Sequence, residues 1–236
     1  MSISIPQRFN GPLESGNGGY SAGVFAAQVD GAAEVSLRSP IPLDAPLDVA
    51  REEDGTVRIL DGETLIAEVR PSPELDIPVP DPVSVEQARE ASRRYESPSE
   101  GLFSRCFVCG PAREDSLGVF AGEVEGRDLV ASPWTPPAWT ANEEGEVLPE
   151  FVWAVLDCPT YFAAHQGEGM PLSMLVKQTT RIQSPIAAEE EHVVIAWPIE
   201  ADGRKHHAGA AVLSRDGDVL ATCQAMLIEP RSASGG

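Results

Sequence analysis

Two stretches of the chain are apolar on every side. The first runs from about Gly19 to Val29 and carries Ala22, Val24, Phe25, Ala26, Ala27 and Val29 with hardly a charge. The second runs from about Pro149 to His165 and carries Phe151, Val152, Trp153, Ala154, Val155, Leu156, Tyr161 and Phe162. Both are long enough for helices, and a helix without a polar face is a buried one. Pro149 suits a first helical position, whereas Pro159 predicts a kink or a split. Behind each helix come short apolar runs bounded by turn signals, which read as strands. They are Leu47-Asp48-Val49-Ala50 and Thr64-Leu65-Ile66-Ala67 in the first half, and Val193-Val194-Ile195-Ala196 and Asp218-Val219-Leu220-Ala221 in the second. Further strands are expected near Leu117–Val124 and Asp128–Ser132.

The two blocks share landmarks in one order. Leu37-Arg38-Ser39-Pro40-Ile41 matches Ile182-Gln183-Ser184-Pro185-Ile186 at an offset of 145 residues. The turns Asp61-Gly62 and Asp216-Gly217 match at 155, so the second copy holds about ten more residues, which hairpin loops tolerate. The pattern predicts an α+β chain of two repeats, each an antiparallel sheet wrapped around a buried helix. The halves are expected at 1–70 and 102–236. Between them, 71–101 holds five prolines from Pro71 to Pro82, an extended connector, and then a helix from Val85 to Tyr95 capped by Ser84. The tail from Arg231 to Gly236 is expected to fray.

Composition narrows the function classes. Seventeen basic residues against 37 acidic ones give a formal charge of −20 over 236 residues. A nucleic-acid partner is therefore not expected, because phosphate contacts need a basic surface. No apolar run reaches membrane-spanning length and the N-terminus has no signal-peptide pattern, so a cytoplasmic protein without a membrane partner is expected. Its four cysteines are then reduced thiols.

A helix followed by an antiparallel meander that closes on Asp-Gly-x-x-Leu-Ala resembles the hotdog fold. Ala208 to Leu213, followed by Asp216-Gly217-Asp218-Val219-Leu220-Ala221, is similar to the closing hairpin of PaaI-type acyl-CoA thioesterases. With both halves included, the chain resembles a double hotdog, a pseudo-dimer in one polypeptide. That resemblance implies a glycine amide at a helix start that polarises the thioester carbonyl, and an acid from the opposite helix that acts as base or nucleophile. The first half has Asn17-Gly18-Gly19, with Asn where the family has His, and Ala26 nine residues after Asn17. The second half has no Gly-Gly at Leu148-Pro149-Glu150, but Asp157 lies nine residues after Leu148. Each helix keeps one part, and one composite site is expected between them.

The chemistry of these residues agrees. Gly18 and Gly19 expose free amides at the positive end of a helix, which suits a developing oxyanion. The alternative is that they only allow a tight turn and close packing. Asp157 sits in an apolar run and must be hydrogen-bonded or carry a raised pKa; it is either the catalytic acid or a structural Asp beside Pro159. Asn17 and Tyr20 are expected to line the site. The basic run Arg204-Lys205-His206-His207 either holds the phosphates of coenzyme A or is a solvated hairpin tip. Cys106-x-x-Cys109 offers only two ligands where a structural zinc site needs four, so buried thiols are expected and no metal. The reading is an acyl-CoA thioesterase-like hydrolase. It needs no cofactor, takes a small-molecule acyl thioester as substrate, and could assemble as a homo-oligomer of pseudo-dimers. A non-catalytic binder of acyl or other apolar ligands is the alternative. An enoyl-thioester hydratase using Asp157 and His165 is the third.

Overall fold

The computed structural model describes residues 2–96, 101–166 and 171–231. The first half holds β1 (Ser2–Ile3), α1 (Gly18–Ala26), β2 (Ala33–Leu37), β3 (Leu47–Arg51), β4 (Val57–Asp61) and β5 (Thr64–Pro71). After α2 (Val85–Ser92) come β6 (Gly122–Glu123), β7 (Val130–Trp134), α3 (Pro149–Ala164), β8 (Met174–Ile182), β9 (His192–Asp202), β10 (Lys205–Leu213) and β11 (Val219–Ile228). The strands form one sheet in the order β1-β3-β4-β5-β2-β8-β11-β10-β9-β7-β6, and every pair of named strands is antiparallel.

The repeat is visible in that order. The block β3-β4-β5-β2 follows α1, and β9-β10-β11-β8 follows α3. The two blocks join where β2 pairs with β8. Glu34 lies opposite Thr179 there, 145 residues later in the chain, which is the offset of the Ser-Pro landmarks. A pseudo-two-fold axis therefore passes through this pair, with the Lys177–Glu34 ion pair (2.8 Å) beside it. Gly62 and Gly217 take left-handed φ values of 57° and 93°, as the two Asp-Gly turns require.

α1 and α3 lie inside and pack on each other. A Cβ on Gly19 would meet Asp157 and Trp153, and one on Gly23 would meet Glu150 and Trp153. Contacts that advance along α1 while receding along α3 make the helices antiparallel. Because two glycines one turn apart face α3, the backbones approach closely. Gly23→Ala would place its Cβ 2.6 Å from the Glu150 Cα. Overpacking of this kind costs about 1–3 kcal/mol, and urea denaturation of the variant is expected to show a loss in that range.

Pro159 does not split α3, which is one helix of 16 residues. The ring removes one backbone bond, but the helix is held by burial on all sides, and the Thr160 hydroxyl donates to the Asp157 carbonyl (2.6 Å). The expected strand at Leu117–Val124 shortens to β6. Before it, the Leu117 and Val119 amides bond the carbonyls of Phe107 and Val108, so this segment follows the cysteine loop instead of the sheet. Ser84 caps α2 in a full capping box with Gln87. Together with Val83, Ile77 and Val79 of the connector, α2 covers the outer face of the second half against Ile195, Trp197 and Leu213. Of the expected frayed tail, 232–236 lie outside the described residues. No helix among the described residues is long and apolar enough to cross a membrane.

Candidate active site between the two halves

Asn17 is the N-cap of α1, and its side-chain oxygen accepts from the Tyr20 amide (2.8 Å). Leu148 is the N-cap of α3 and gives no side-chain cap. These positions align the two helices as the repeat requires, with Asp157 and Ala26 in equivalent places. Capping by Asn17 leaves the Gly19 amide directed out of the helix. It donates to Asp157 Oδ2 at 2.8 Å across the boundary between the halves. A Cβ on Gly18 would lie 3.4 Å from the same oxygen. The structure thus brings Asp157, Gly19 and Gly18 together.

Asp157 is 6% exposed. Burial pushes its pKa from 3.8 up to about 7; the Gly19 amide pulls it down, and charge on Cys106 adds to the rise. A carboxyl group poised near neutrality in a dry site suits general-base work. Leu175 of β8 packs over Gly18. Behind the helix, Gln178 donates to the Trp153 carbonyl (3.0 Å) and to the Thr180 hydroxyl (3.1 Å). Burial raises the Cys223 thiol.

The other expected residues are placed unequally. Asn17 borders the pair, with its amide nitrogen 3.7 Å from Cys106 Sγ and 3.9 Å from Cys158 Sγ. Tyr20 points away into an aromatic cluster, stacked on Phe9 (4.1 Å between ring centres) beside Phe107 and Phe151, and burial raises its hydroxyl pKa. Arg204 and Lys205 stand at the β9–β10 turn. Arg204 donates to the Glu229 carbonyl. Next to Lys205, His206 packs on His165 (4.4 Å) and meets Glu229 Oε1 at 2.8 Å. His165 ends α3 eight residues after Asp157, about 12 Å further along the axis. The basic run and His165 therefore sit one helix end away from the Gly19–Asp157 pair.

Sequence reasoning missed Cys158 and Gln178. Cys106 and Cys109 are buried as expected, but Cys158 of α3 joins them, with Cys106 Sγ 3.8 Å from Cys158 Sγ. The contacts with Cys109 and Cys158 hold the Cys106 thiol well below its usual range, and those two thiols are raised in turn. The signal for Gln178 was its alternation with Thr180 on one face of a strand.

No family model matches the chain, and no curated protein matches it in sequence. Solved structures match it in shape. A proposed thioesterase from Novosphingobium aromaticivorans superposes with a TM-score of 0.61 at 14% identity, over 97% of this chain and 94% of that one. A conserved protein with a hot dog fold from Alicyclobacillus acidocaldarius gives 0.57 at 12% identity, over 98% and 93%. The chain has the hotdog fold. The tesB protein of Mycobacterium avium subsp. paratuberculosis gives 0.56 at 14% identity, over 89% and 84%. These matches run through both halves, so the hotdog fold accounts for the whole sheet and both buried helices. Within it, the Gly19–Asp157 contact lies where the two helices cross.

Proposed function

We propose that this double-hotdog chain is a thioester hydrolase of the acyl-CoA type with one composite site. The observation that carries the reading is the 2.8 Å bond from the Gly19 amide to Asp157, which joins a helix-start donor of one half to an acid of the other. Substrate entry replaces that bond: the thioester carbonyl oxygen accepts from Gly19, with Gly18 beside it, and Asp157 turns to a water. Asp157 takes a proton from the water as its oxygen attacks the carbonyl carbon. The resulting oxyanion is held by the Gly19 amide and the α1 dipole. Collapse expels the thiolate, which receives the proton from Asp157, and the acid is released. The equivalent position across the pseudo-axis lacks the acid and the glycine pair: Ala26 stands for Asp157, and Leu148-Pro149-Glu150 stands for Asn17-Gly18-Gly19.

The base must be ionised, so kcat/KM is expected to rise about tenfold per pH unit below about 7 and to level off above it. Thiol release from a panel of acyl-CoAs between pH 5 and 9 measures this. A rate independent of pH through that window would remove Asp157 as the base.

A second reading has its own observation. Both ends of the Asn17 side chain are engaged, and the Gly19 amide is already satisfied by Asp157. A hotdog module that holds an acyl or other apolar ligand without cleaving it needs no free amide. Acyl-CoA binding by calorimetry with no thiol release would favour that module.

A further inference from the structure

The cysteines beside the site have a geometry that neither function uses. Cys106 and Cys109 form a tight turn in which the Gly110 amide donates to the Cys106 carbonyl (2.9 Å). Gly110 is required there, because a Cβ would lie 2.4 Å from the Cys106 nitrogen. The Tyr95 hydroxyl anchors the turn through the Cys109 carbonyl (2.6 Å), and the Phe107 amide ties it to Asn10 (2.8 Å). Cys158 reaches the turn from α3, and the three sulphurs lie within 4.8 Å of one another. All four cysteines of the chain are free thiols.

We infer that Cys106, Cys109 and Cys158 form a three-thiolate site for a thiophilic divalent ion, Zn2+ by its chemistry. Two sulphurs 3.8 Å apart, each bonded at the usual zinc–sulphur length of about 2.3 Å, subtend an angle of about 110° at the ion, which is tetrahedral. Amide donors on a coordinating sulphur are the outer hydrogen bonds that such sites rely on, and the Asn17 side-chain amide supplies one, 3.7 and 3.9 Å from two of the sulphurs. Soft sulphur ligands select zinc over magnesium or calcium. Among the described residues no fourth His, Cys, Asp or Glu joins the set, so the last vertex falls to water or an exogenous thiol. The ion would tie the 106–109 turn to the helix that carries Asp157. This inference does not depend on the thioesterase reading.

Cobalt is the direct probe. Reduced, chelator-treated full-length protein titrated with Co2+ under argon is expected to bind one ion per chain, with thiolate-to-cobalt charge-transfer bands, and one equivalent of Zn2+ is expected to bleach them. Cys109→Ser and Cys158→Ser are expected to weaken binding at least tenfold. Cys158→His, which keeps a ligand, is expected to restore binding with a reduced sulphur band, and it separates lost coordination from lost folding. Cys223→Ser is expected to change nothing, because Cys223 lies outside the cluster of three sulphurs. Binding without thiolate bands would place the ion elsewhere, at the cluster of His165, His206 and Glu229 for example, and would overturn the assignment. So would bands that persist unchanged in Cys158→Ser.

Discussion

Asp157→Asn is expected to stabilise the folded protein at pH 8 by roughly 2–4 kcal/mol while leaving its stability at pH 4 nearly unchanged. The carboxyl group is buried, and its folded pKa is raised from 3.8 to about 7. Between those values the folded protein holds a proton that the unfolded chain has lost. Wild-type stability therefore falls as pH rises from about 4 to about 7, and the full penalty remains above that. Below pH 4 both states are protonated and the group contributes nothing. Asparagine resembles the neutral acid, keeps an oxygen for the Gly19 amide, and does not titrate. The difference between variant and wild type cancels the other ionisable groups. Urea denaturation with reductant and chelator at pH 4, 6 and 8 measures it. Equal stability of the two proteins at pH 8 would mean that Asp157 is ionised at little cost, in a site open to water.

Gly19→Ala is expected to be among the most damaging single-methyl additions in the chain. The new Cβ would sit 2.5 Å from the Asp157 Cβ, 2.7 Å from the Trp153 carbonyl oxygen and 3.1 Å from the Ala154 Cα. Two of these neighbours are backbone atoms, so relief requires α1 and α3 to separate. A cost of about 3 kcal/mol follows from overpacking. The same separation lengthens the bond from the Gly19 amide to Asp157, so turnover should fall with stability. Gly18→Ala is the control. Its nearest neighbours are Leu175 side-chain atoms at 3.0 and 3.3 Å, which can shift, and the expected cost is within about 1 kcal/mol. Thermal denaturation of both variants checks the contrast. Equal tolerance at the two positions would mean that the helices do not cross as closely as described.

The sequence carried the repeat and the composite pair because both depend on local order. Ser39-Pro40 and Ser184-Pro185 end equivalent strands, and counting nine residues from each helix cap separates Asp157 from Ala26. The strand ends were less legible. Leu117 to Ala121 is as apolar as a strand, yet the Leu117 and Val119 amides bond the cysteine loop, a tertiary choice that periodicity does not record. Pro159 was expected to kink or split a helix that stays one element of 16 residues. The cysteine cluster was the largest omission. Cys106 and Cys158 are 52 residues apart, and they meet only because the 106–109 turn docks where α1 and α3 cross. The tight packing of α1 on α3 was available only as an alternative use of Gly18 and Gly19. The structure gives Gly19 both uses, with its hydrogen atom turned to α3 and its amide to the carboxylate.

In the proposed reaction one acid, held by a glycine amide from the other half, cleaves a thioester. The most direct measurement is thiol release from acyl-CoAs, acetyl to long-chain and aromatic, by wild type and Asp157→Asn at pH 8. Turnover by the wild type on at least one acyl-CoA is expected, with a kcat lower by roughly 10²–10⁴ in a variant that is folded and more stable. Undiminished turnover in Asp157→Asn would contradict the assigned site, and acyl-CoA binding with no turnover by the wild type would contradict the hydrolase itself.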